Sequence, residues 1–151
     1  MASAVYNRGK MILLTNGVGR GSLPTKWKMA LVTSSYTPNV DHDTWADVSA
    51  NEIATGNGYS AGGVDVEASS TGFTAESADD TNDRGEITIK DVVYTASGGQ
   101  IPSSGSGARY AILMEYNATQ STGRLIAYFD LAADKSSDVS ITLSGFKLRG
   151  T

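Results

Sequence analysis

"ARYAILMEYNATQSTGRLIAYFDL", residues 108–131, sets two apolar runs rich in aromatic and β-branched residues on either side of a polar turn. The runs Ala108 to Tyr116 and Gly123 to Leu131 suit the pleated, half-buried surface of a sheet. TQSTG between them reads as a hairpin turn, with Asn117 and Gly123 at its edges.

The alternation continues outward in both directions. DVSITLSGFKLRG closes the chain with Val139, Ile141 and Leu143, then Phe146 and Leu148. The phase change at Ser144-Gly145 predicts a bulge, because glycine tolerates a bent backbone. Upstream, Glu86 to Ala96 alternates through Ile87, Ile89 and, after a slip near Asp91, Val93. In TKWKMALVT, Thr25 to Thr33, the residues Trp27, Met29 and Leu31 point one way, and Lys26, Lys28 and Ala30 the other. That pattern predicts a half-buried strand. A further strand begins at Val64, with Val64 and Val66 on one face.

Between these strands lie less regular segments. Ser3 to Thr15 predicts a short helix with Ser3 as N-cap, although Gly9 costs it about 1 kcal/mol relative to alanine. Asn16 to Pro24 breaks regular structure. DTWADVSANEIA predicts a helical turn capped by Asp43, with Trp45, Val48 and Ile53 inward. Gly56 to Gly63 is a turn-rich link. Two loops are expected: Ala96 to Ala108 has the composition of a mobile surface loop, and Ser69 to Arg84, polar and acidic apart from Phe73, is similar. The expected whole is one mainly β domain over 1–151, an antiparallel β-sandwich or small barrel with one or two short helices. Residues 1–24 are expected to form an N-terminal contact arm or helix.

Composition narrows the functional classes. The chain has 151 residues, a net charge of −4 and no basic block, so neither nucleic acid nor an anionic membrane is an expected partner. With no cysteine, disulfides, thiolate catalysis and Cys-ligated zinc are excluded. No apolar run approaches the length of a membrane span, and Met11 to Leu14 is too short for the core of a secretory leader.

The residues that could carry chemistry have plainer readings. Asp41, His42 and Asp43 hold the only histidine. Adjacent side chains on a strand diverge, and the second histidine usual in such metal sites is missing. Asp79, Asp80, Asn82, Asp83 and Glu86 offer hard oxygen donors, but Arg84 stands where a calcium loop needs a ligand. A solvated acidic turn is the expected form. GVGRG, 17–21, lacks the remainder of a phosphate loop, and no G-x-S-x-G elbow exists. No catalytic, metal or cofactor residue is assigned.

The order of motifs resembles a family of small virion proteins of tailed bacteriophages. YNRGKMILLTNG is followed by WKMALVTSSYTPNVDHDTWADVSANEI and GNGYSAGGVDV, and then by ITIKDVVYTA, RLIAYFDL and SITLSGFKL. The matching positions include Lys28, Leu31, Thr33, Ser34, Tyr36, Thr37, Pro38, Asp47, Val48, Gly58, Tyr59, Gly62 and Gly63. Asp41-His42-Asp43 is compressed relative to the family's pattern. The resemblance implies a non-enzymatic virion component, made in the bacterial host cytoplasm and placed on the capsid surface. It would act as a decoration or cement protein, binding the major capsid protein and copies of itself as a homotrimer. Candidate interface residues are Tyr36, Trp45, Tyr59, Gln100, Ile101 and Pro102. A tail or fibre module that binds host glycan through exposed Tyr36, Trp45 and Tyr59 is the alternative. A hydrolase or metal-dependent enzyme centred on His42 is the third class.

Overall fold

In the computed structural model, which describes residues 3–19, 26–67, 69 and 71–150, the chain is mainly β. The elements are β1 (Ser3–Val5), α1 (Asn7–Gly17), β2 (Lys26–Val32), β3 (Val64–Glu67), β4 (Phe73–Asp79), β5 (Arg84–Ile89), β6 (Val92–Thr95), β7 (Ala108–Glu115), β8 (Leu125–Lys135), β9 (Ser140–Leu143) and β10 (Lys147–Gly150). Short 3-10 turns occupy Trp45–Asp47, Ser49–Asn51 and Gln120–Thr122. A five-stranded antiparallel sheet runs in the order β1-β8-β7-β2-β3. A three-stranded sheet, β10-β5-β4, and a two-stranded ribbon, β6-β9, complete a sandwich-like arrangement.

The large sheet is buried on both faces, which corrects the half-buried reading of β2. Trp27, Met29 and Leu31 join Ala111, Leu113 and Phe129 in the larger core, together with residues of the smaller sheets. Ala30 and Val32 lie on the opposite face with Ile112, Met114 and Leu125, in a second cluster closed by Tyr6, Tyr36, Trp45 and Val48. Alternation therefore sorts the side chains between two cores rather than between core and water. Full burial of a leucine, isoleucine or methionine such as these is worth about 1.5–3 kcal/mol each.

The 108–131 hairpin forms as expected, with an irregularity that matters. Leu113 faces Ala127 while Met114 faces Leu125, so Ile126 is the extra residue of a bulge. The Ile126 carbonyl accepts a hydrogen bond from the Tyr6 N–H at 2.9 Å. α1 lies against this point through Gly9, where any Cβ would overlap the Ile126 backbone. The N-terminal segment is thus not a helix from Ser3 and not a free arm. Ser3–Val5 pairs antiparallel with Tyr128 and its neighbours, and the helix begins only at Asn7. Ser3 leads into a strand because pairing with β8 satisfies backbone groups that an isolated helical turn would leave open.

Three further expectations change. Ser69 to Arg84 contains β4, the partner of β5, so it is one arm of a hairpin and not a loop. The slip near Asp91 is real, but Val92 and Tyr94 turn inward and Val93 stays exposed. The phase change at Ser144-Gly145 is not a bulge within one strand: β9 pairs with β6 and β10 with β5 in a different sheet. Gly145, at φ +71°, makes the turn between them. The segment Arg20 to Thr25, with much of the expected break after the helix, lies outside the described residues.

Candidate functional site

The strap from Thr33 to Ile53 covers the second core and holds Asp41-His42-Asp43. Tyr36 Oη lies 2.9 Å from Tyr6 Oη and 3.1 Å from His42 Nδ1, so a buried phenol links the N-terminal segment to the histidine. The flanking carboxylates point elsewhere: Asp41 accepts from the Asn7 amide at 2.8 Å, and Asp43 lies 3.6 Å from the Arg8 guanidinium. No group of three potential metal-binding side chains converges among the described residues. The helical turn starts one residue later than expected, at Thr44, and Asp47 is its anchor. The Asp47 carboxylate accepts from the N–H groups of Thr44 (2.9 Å) and Asp43 (3.0 Å), which holds its pKa below the ordinary carboxylate range. Trp45, Val48 and Ile53 are buried, as the spacing predicts.

The link Gly56 to Gly63 finishes the edge of β2. Strand β3 pairs with β2 only as far as Met29 opposite Val64. Past that point the Leu31 N–H donates to Tyr59 Oη at 3.0 Å, and the Leu31 carbonyl accepts from the Ile53 N–H at 3.1 Å. Tyr94 Oη donates to the Met29 carbonyl. Tyr59 in turn donates to Glu52 at 2.8 Å, and the Gly62 N–H donates to the same carboxylate at 2.6 Å. Burial pushes the Glu52 pKa up, opposed by these two hydrogen bonds. Gly63, at φ +75°, passes so close to the Met29 carbonyl that a side chain there would overlap it.

The candidate interface residues divide sharply. Tyr36, Trp45 and Tyr59 are 2–3% exposed, and Ile101 and Pro102 are buried as well. Only Gln100 is exposed. Ile101 exchanges both backbone hydrogen bonds with Ser137 at 2.8 and 2.9 Å, while the Asn57 amide donates to the Gln100 carbonyl at 2.9 Å. The 96–108 segment is therefore an anchored lid over the core, with Ile101 and Pro102 buried within it, and not the free loop its composition suggests. The exposed large apolar side chains lie elsewhere: Met11, Leu14 and Val18 along α1 and after it, Val93 on the ribbon, Val139 just before β9, and Tyr116.

Charge is concentrated at the three-stranded sheet. Glu86 accepts from Lys147 Nζ at 2.6 Å and Arg149 Nε at 2.7 Å, with Arg84 at 3.0 Å. These cations lower its pKa to about 2, the Lys147 hydrogen bond contributing most. Arg84 also reaches Asp79 at 2.9 Å, which in turn accepts from Asn82 at 2.8 Å, so the acidic turn is tied to its own strand. Beside this cluster a cleft of about 300 Å³ separates β1 and β8 from β10, lined by Val5, Lys10, Arg84, Phe129, Lys147 and Arg149. Its one sequence signal was the spacing of Arg84 with Glu86 and of Lys147 with Arg149, two residues apart on each strand and hence on one face. No known protein family, curated protein or solved structure matches this chain.

Proposed function

We propose that this protein is a non-enzymatic structural component of a tailed-bacteriophage virion, a decoration or cement protein that binds the outer head surface and bridges capsid subunits. Its partners in this reading are the major capsid protein and copies of itself, as a homotrimer. One observation carries the non-catalytic part. The polar residues most available for chemistry are engaged in holding segments together: His42 with Tyr36, Asp47 with two amides, and Glu52 with Tyr59 and Gly62. The virion part rests on the resemblance carried by WKMALVTSSYTP and GNGYSAGG. The structure adds a reason for those motifs: they build the β2 edge and the strap, a rigid body suited to contact through many copies, where avidity compensates for modest individual contacts.

Nothing in the burial pattern favours the glycan-binding tail module. Tyr36, Trp45 and Tyr59, its aromatic anchors, lie inside the fold. Sedimentation of purified protein with genome-filled heads lacking it tests the proposal. Saturable recovery with heads, and none with isolated tails, is expected. Recovery with tails alone would move the protein to another part of the particle.

A further inference from the structure

We propose that the cleft between β1 and β10 is a docking site for a carboxylate borne on an apolar segment of a protein partner. Three observations meet there. The cleft lies where the last strand of one sheet faces the last strand of another without pairing to it. Four cations, Lys10, Arg84, Lys147 and Arg149, line it in a chain whose net charge is −4, and only the last three are paired, with Asp79 and Glu86. Among the described residues Lys10 has no ion pair, and the Arg84 Nε–H is buried without an acceptor. A buried donor left unpaired costs free energy, so Arg84 is under-satisfied where it borders the cleft.

The chemistry of the lining selects the ligand. Guanidinium groups match a planar carboxylate in a fork geometry. Asp79 and Glu86 offset part of the positive charge and leave an excess that attracts an anion, so the choice of anion falls to shape and to the apolar walls. Val5, Phe129 and Leu148 form apolar walls, which favour a carboxylate carried by an apolar body over a free ion. The inference is independent of where in a virion, or outside one, the protein acts.

The test uses the full chain and observes the arginine Nε–Hε signals by NMR. The probes are the blocked dipeptide N-acetyl-leucyl-glutamate amide, its glutamine counterpart and inorganic phosphate. The glutamate dipeptide is expected to shift the Arg84 signal saturably, with a dissociation constant of about 1 mM. Lys10→Gln and Arg149→Gln should each weaken this by about fivefold, with the backbone spectrum otherwise preserved. No shift at Arg84, an equal shift with the glutamine dipeptide, or tighter binding of phosphate overturns the assignment.

Discussion

Tyr59 serves two neighbours at once: its phenol accepts from the Leu31 N–H and donates to Glu52. Tyr59→Phe keeps the ring and removes both bonds, leaving a buried amide without an acceptor. The expected loss is about 1–3 kcal/mol in urea denaturation, and a variant as stable as the parent would refute the role. Glu86 is buried as well, but its partners are cations, which lower its pKa to about 2 from 4.5. A lowered folded pKa contributes stability that is present above about pH 4.5 and is lost as pH falls toward 2. Glu86→Gln should therefore flatten the fall in melting temperature across that window; an unchanged profile contradicts it. At this scale the sequence marks Tyr59 as an aromatic and Glu86 as an acid, but not their partners. Leu31 lies 28 residues from Tyr59 and Lys147 lies 61 from Glu86, so only the fold brings them together.

At the scale of elements, strands were legible wherever one side-chain phase persisted, as in β2 and β7. They were misread wherever the phase slipped, because a bulge and a change of sheet leave the same mark in sequence. Gly145 ends one sheet pairing and begins another, while one true bulge, at Ile126, lies in a run with no glycine to announce it. The 96–108 segment was misread for a different reason. Its Gly and Ser content hides Ile101, whose burial depends on Ser137, a residue remote in sequence. The strap makes the strongest demand on packing: Trp45 is 3% exposed within the second core. Trp45→Ala should cost about 3–5 kcal/mol, read as a lower urea midpoint. Gly63→Ala should also destabilise, since a Cβ would meet the Met29 carbonyl that β2 presents at its edge. Equal stability of either variant would show that the strap or the link is not tied to the sheet as described.

At the scale of the molecule, β2, β7 and β8 belong to both cores, so neither core can open without disturbing the other. Amides of β7 and of the 125–129 part of β8 should exchange most slowly, and at similar rates on both faces of the sheet. Faster exchange confined to one face would mean two independent units. The mainly β class was legible from alternation alone. The double-sided sheet was not, because a strand with Lys26 and Lys28 at its start looks exposed on that side until the strap covers Ala30 and Val32. A rigid body of this kind is suited to fitting against neighbours, and its charged cleft and exposed apolar residues along α1 are surfaces such neighbours could use. A reconstruction of the intact particle, with this chain located in the density, tests the structural role most directly. Three copies around symmetry axes on the outer head surface, each touching more than one capsid subunit, is the predicted result. Finding the chain only in the tail, or in no part of the particle, would contradict it.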